Sequence, residues 1–174
     1  MKARRPTPSD YMDQDRHPDN WPMVLTDRDG RILEHIHEYD GFLADYQVKD
    51  LEFTGMRQAR DRLGKLFHNG YLNRTNRRGR TRFGAMIYWL SAKGAEYVAG
   101  VQGVPREELR WMKLLREDLV PHNLLVNDFT LILQQACAQN EECNLDHWIN
   151  ESVFRADPDR VEYSTSTGKR TGRN

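Results

Sequence analysis

Apolar and polar residues change period twice along this chain, and the changes mark its elements. From Thr26 the pattern is helical. Ile32, Leu33 and Ile36, with Tyr39 behind them, fall on one face, and Thr26 with Asp29 three residues later has the form of a capping box. Asp40-Gly41 ends that helix. Phe42-Leu43 fits a short extended segment, and Asp45 an N-cap for a second helix that turns Val48 and Leu51 inward. Thr54 fits the cap of a third helix, Met56 to Asn69, whose buried stripe is Met56, Ala59, Leu63, Leu66 and Phe67.

After Gly70 the period becomes that of strands. Residues 71–75 and 82–90 predict two strands joined by the polar, glycine-containing tip Asn76–Arg80. Ser91 then caps a fourth helix running to about Val101, and Gly103-Val104-Pro105 breaks the chain. Two more helices are expected, Pro105 to about Asp118 and about Pro121 to Gln139. The second is broadly apolar through Leu124, Leu125, Phe129, Leu131, Ile132 and Leu133, a surface that must pack on something. A last ordered stretch runs from Leu145 to Val161.

This order predicts a mainly α fold with a small β-hairpin: a winged helix-turn-helix plus C-terminal helices. The expected division is a disordered tail at 1–21, a winged helix-turn-helix domain at 22–102, a helical extension at 105–163 serving dimerisation or standing as the remnant of a nuclease-like domain, and a low-complexity, disordered tail at 164–174.

Composition changes this picture little until charge is mapped. The chain is 174 residues long, 38% hydrophobic and 30% charged, with a formal net charge of zero. Distribution matters more than the sum. Between Thr54 and Gly94 stand ten basic residues against one acid, Asp61, so the flanks carry the compensating negative excess. No signal peptide or membrane-crossing run is evident, and a cytoplasmic protein is the expectation.

The cationic stretch coincides with the two elements that read duplex DNA in winged helices. A helix fits the major groove, where base edges are distinguishable, and Arg and Gln suit bidentate contact with guanine and adenine. With the apolar stripe facing the core, Arg57, Gln58, Asp61 and Arg62 point largely outward, flanked by Arg60 and Lys65. The wing adds Arg74, Arg77, Arg78, Arg80 and Arg82, whose mutual repulsion becomes attraction beside phosphates or in a narrow minor groove. The expected partner is double-stranded DNA, with no membrane, and residues 105–139 offer a homodimer surface.

Catalytic chemistry finds no footing. His35 and His37 point about 200° apart on a helix of ~3.6 residues per turn, so they do not share a metal. His122 and Asp128 fall on poorly matched faces. Cys137 and Cys143 lack the His pair of a zinc site and are expected as reduced thiols. No catalytic residue, metal or cofactor is expected. Two alternatives stand beside DNA binding: a winged-helix module docking an acidic protein, and a truncated nuclease-like enzyme.

Several stretches carry a family resemblance. Leu-Thr-Asp-Arg-Asp-Gly-Arg-Ile-Leu (25–33), Leu-Gly-Lys-Leu-Phe-His-Asn-Gly-Tyr-Leu (63–72) and Ile-Tyr-Trp-Leu-Ser-Ala-Lys-Gly-Ala-Glu (87–96) resemble the replication-relaxation family, proteins of plasmids, phages and integrative elements. Pro-His-Asn-Leu-Leu-Val-Asn-Asp (121–128) and His-Trp-Ile-Asn-Glu (147–151) are similar to its next segment, so the resemblance spans about 25–160. It implies a winged-helix module ahead of a domain like restriction-endonuclease folds, in which longer members continue into strands bearing acidic residues. This chain departs from that pattern after about residue 163. Glu151 and Asp159 do not replace those acids on spacing, so DNA binding in a mobile-element setting is carried over and nuclease activity is not.

Overall fold

A computed structural model describes residues 16–75, 84–116, 118–140, 142–143, 145–146 and 148–149, and the backbone of 160–165 and 168–173. Five helices are present among these: α1 (Asp27–Glu38), α2 (Asp45–Glu52), α3 (Met56–His68), α4 (Ala92–Gln102) and α5 (Val120–Ala138). Short strands β1 (Phe42–Ala44), β2 (Leu72–Arg74) and β3 (Ile87–Leu90) form an antiparallel sheet in the order β1-β3-β2. Phe42 pairs with Trp89, and Leu72 with Leu90. The fold is thus mainly α with a small antiparallel sheet, consistent with a winged helix.

Both faces of β3 are covered, which is why Ile87-Tyr88-Trp89-Leu90 is apolar throughout rather than alternating. Leu43, Tyr88, Leu90 and Leu72 pack with α1, α3 and α4 in one core. Phe42, Ala44, Ile87 and Trp89 face the other way onto Leu115, Val120 and Leu124. The inner side of α5 therefore closes the back of the sheet. Polar bonds fix its seat: Asn127 Nδ2 donates to Phe42 O at 3.1 Å, and Gln47 Nε2 donates to Asp128 Oδ1 at 2.6 Å.

Local signals set the helix starts. Asp29 Oδ2 accepts from Thr26 N at 2.7 Å and from Thr26 Oγ1 at 2.8 Å, locking the first turn of α1. Ser91 Oγ accepts from Gly94 N at 3.2 Å and caps α4. Asp45 lies one residue inside α2, whose cap is Ala44, and Gln47 Oε1 accepts from Ala44 N at 3.0 Å. The cap of α3 is Gly55, not Thr54.

Gly94 is fixed by close approach. A Cβ there would sit 2.2 Å from the Tyr71 carbonyl oxygen, a backbone atom held by its bond from Ser91 N at 3.0 Å. Gly94→Ala is expected to lower stability by about 1–3 kcal/mol through overpacking, despite the better helix propensity of Ala. Thermal unfolding checks this, and an unchanged midpoint would overturn it.

Three segments differ from the sequence-based expectation. The helix expected from Pro105 to about Asp118 does not form among the described residues. A turn at Pro105–Glu108 leads into irregular chain. Leu109 joins the core under α1, whereas Leu115 joins the one behind the sheet. Reaching opposite faces six residues apart suits extended chain, at ~3.3 Å per residue, better than a helix at ~1.5 Å. The stretch 164–174, expected as a disordered tail, holds the end of strand β4 (Arg160–Thr165) and all of β5 (Gly168–Arg173), paired in register Thr165↔Gly168. The low-complexity reading began at Ser164 and so cut off Val161 and Tyr163, which favour a strand, from the Thr residues that continue it. Finally, residues 16–21, assigned to the N-terminal tail, pack on α3.

Candidate nucleic-acid interface

The candidate interface centres on α3. Ala59, Leu63, Leu66 and Phe67 are fully buried, as expected, while Met56 is half-buried. Arg57, Gln58 and Asp61 are exposed and make no hydrogen bond or ion pair among the described residues. Lys65 is half-buried beside them. These side chains form the open part of the helix, in its first two and a half turns.

Arg60 and Arg62 behave differently from the sequence reading. Arg62 Nε donates to Asp29 Oδ1 at 2.5 Å, a second nitrogen bonds Asp29 Oδ2, and that nitrogen also donates to Val24 O at 2.8 Å. Asp29 is fully buried and the Arg62 side chain only 20% exposed. Burial pushes the Asp29 carboxyl up, but the bonds from Arg62 and Thr26 outweigh it and hold the group below the usual carboxylate range. Arg62 therefore points at its own fold, not at a partner. Arg60 Nε donates to the buried Asp45 Oδ2 at 2.8 Å while its side chain stays 57% exposed, so one edge of the guanidinium is held and the rest faces solvent. The two pairs grip α3 from either side, one to α1 and one to α2.

The other half of the outer face is occupied. At 100° per residue, Arg57, Asp61, Gly64 and His68 fall in one row along α3. Trp21 covers the last two, stacking on His68 with centroids 4.9 Å apart. A Cβ at Gly64 would come within 3.2 Å of the Trp21 ring, which accounts for a glycine in mid-helix. Asn69 Nδ2 donates to Trp21 O at 2.8 Å, and His17 N to His68 Nδ1 at 3.1 Å.

Arg16 reaches β2, donating to Leu72 O at 3.0 Å and Asn73 Oδ1 at 2.9 Å. Its guanidinium and that of Arg74 lie 4.5 and 3.9 Å from the Phe67 ring centroid. Lys93 Nζ donates to Asn69 O at 3.0 Å. Burial first, then the charges of Arg74, His17 and Arg16, push His68 below its ordinary value. Arg16, His17 and Trp21 were missed in the sequence because their contacts are some fifty residues away. A tryptophan in a polar segment was the one visible signal. Arg77, Arg78, Arg80 and Arg82 lie outside the described residues.

Elsewhere, His35 Nε2 lies 3.3 Å from Glu52 Oε1, and Arg31 bonds the same carboxylate at 2.8 and 2.9 Å. These bonds tie α1 to α2. Among the described residues no three His, Cys, Asp or Glu side chains gather as metal ligands, and no helix is long and apolar enough to cross a membrane.

The fold and the basic helix thus define a mainly α protein with a clamped, partly open cationic helix beside a small sheet. The family model described as replication-relaxation matches residues 33–166, more than three quarters of the chain. The chain belongs to the replication-relaxation family, which suggests a role in the replication or transfer of plasmids or other mobile elements. No curated protein and no solved structure matches it.

Proposed function

We propose that the chain is a winged-helix protein that binds duplex DNA of a mobile genetic element, acting in replication control, transfer or transcription, and that it is not itself an enzyme. The observation that carries this reading is α3: two ion pairs with buried carboxylates fix the helix, yet Arg57, Gln58 and Asp61 on its N-terminal half have no partner among the described residues. In helix-turn-helix proteins the N-terminal residues of the second helix contact base edges. Arg57 and Gln58 are the base readers in this reading, Lys65 and the open edge of Arg60 meet phosphates, and Arg62 positions the helix. The wing arginines Arg74, Arg77, Arg78, Arg80 and Arg82 meet phosphates or the minor groove, supported by Arg16 at the wing's base.

A labelled random duplex titrated with the protein tests this. Retention is expected at 50 mM salt, with affinity falling steeply by 200 mM as counterions return to the DNA. No retention at low salt sinks DNA binding in favour of an acidic protein partner. Metal-dependent nicking of supercoiled plasmid would instead point to a nuclease-like enzyme.

The reading includes a homodimer. On the outer side of α5, Leu125, Phe129 and Ile132 are 63%, 58% and 66% exposed. Their four-then-three spacing is that of a helix-pairing seam, and a two-fold copy of the same stripe would match it. Phe129→Glu is expected to convert a sedimenting dimer into a monomer without unfolding it. A wild-type chain that sediments as a monomer at micromolar concentration rules the dimer out.

A further inference from the structure

Cys137 stands in the last turn of α5, and Cys143 follows six residues later. Two turns fold the chain back between them: Asn140 N donates to Cys137 O at 3.1 Å, and Cys143 N to Asn140 O at 3.0 Å. Asn140 Oδ1 also accepts from Glu142 N at 3.0 Å, holding the second turn. The two sulfurs end 2.9 Å apart. Both are free thiols, Cys143 exposed and Cys137 half-buried. They line a hollow with Gln134, Leu145 and Trp148, and the Trp148 ring lies 6.2 Å from that of Phe129.

We infer that Cys137 and Cys143 form a redox-sensitive dithiol that a low-molecular-weight disulfide closes to an intramolecular disulfide, pinning residues 145–149 to the end of α5. The exposed Cys143 thiolate attacks one sulfur of the oxidant, forming a mixed disulfide and releasing one thiolate. Cys137 then gives up its proton and attacks the Cys143 sulfur, forming the Cys137–Cys143 bond and expelling the second thiolate. The protein loses two hydrogens and two electrons, and the oxidant becomes two thiols. The order of attack follows exposure. The bond with Cys143, then burial, raises the Cys137 thiol above its ordinary value, which suits the resolving position. In a reducing compartment the pair stays open until the thiol–disulfide balance shifts.

The full chain is reduced, desalted and exposed to oxidised glutathione, then trapped with an alkylating agent and weighed intact. The expected product is a monomer lighter by about 2 Da that takes up no alkyl group, with a peptide linking Cys137 to Cys143. Cys137→Ser is expected to retain a stable glutathione adduct at Cys143, because no resolving thiol remains. Hydrogen exchange at 145–149 is expected to slow on oxidation of the wild type and to stay unchanged in Cys137→Ser. A wild-type chain that keeps the adduct with Cys137 still alkylated, links to a second chain, or stays unreacted overturns the inference. So does closure without slower exchange. None of these outcomes depends on whether the chain binds DNA.

Discussion

Arg62→Ala is expected to lower the unfolding free energy by about 3–5 kcal/mol at neutral pH, because it leaves the fully buried Asp29 carboxylate with its bonds from Thr26 but no cationic partner. For a folded unit of this size that corresponds to a fall in melting temperature of roughly 10–20 °C. Asp29→Asn is expected to cost less, since the stranded guanidinium is partly exposed and keeps its bond to Val24 O. The pH dependence follows from the lowered carboxyl of Asp29. Its contribution is fully present above the ordinary unfolded value, near pH 4, and is lost as pH falls through the lower folded value. In Arg62→Ala, burial acts on Asp29 without that guanidinium, so the carboxyl takes up a proton at higher pH and neutralises itself. The stability gap between the two proteins therefore narrows on acidification, as melts at pH 7, 5 and 3.5 would show. A gap that widens toward acid contradicts this account. Measured well below the melting temperature, Arg62→Ala is expected to weaken DNA binding while leaving base preference and the salt slope unchanged, which separates a positioning arginine from a reading one.

Arg62 also shows where the sequence stopped being informative. The capping residues Thr26 and Ser91 act within three residues of themselves, so their roles were legible, as was the stripe Ala59, Leu63, Leu66 and Phe67. The partner of Arg62 lies thirty-three residues away and that of Arg60 fifteen. Both arginines sit on the flanks of the buried stripe, where helical period alone does not say whether a long side chain turns to solvent or to a neighbouring helix. Asp29 compounds the difficulty. It reads as a capping carboxylate, and it is one, but its second oxygen serves α3 as well. The strap at 16–21 was hidden for a related reason. Proline and charge mark it as tail, and only the Gly64 surface, shaped by α3, gives Trp21 somewhere to lie. The irregular run after Pro105 was lost because its apolar spacing fits a helix until the positions of two separate cores are known.

Replacing Arg77, Arg78 and Arg80 together by Ala is expected to weaken binding to all duplexes alike, by about two to three orders of magnitude near 0.1 M salt. Each phosphate contact contributes ~0.9 to the slope of log affinity against log salt, so losing three flattens that slope by nearly 3. Arg57→Ala and Gln58→Ala act on the open half of α3 and should do something different. A lost bidentate base contact removes about 1–3 kcal/mol of discrimination at one position, leaving random-sequence affinity and the salt slope little changed. Selection of bound oligonucleotides from a random pool, run on wild type and each variant, gives both readouts: total retention follows the wing, and the sharpness of one position follows Arg57 or Gln58. The strap sets a boundary on that footprint. With Trp21 over Gly64 and His68, the outward row of α3 ends after Asp61, so base preference is expected to be confined to the positions that Arg57, Gln58 and Asp61 reach. Trp21→Ala uncovers Gly64 and His68, and a base position added at that end of the footprint is the expected result. If the wing and α3 variants change slope and preference in the same way, the division of labour between hairpin and helix is wrong.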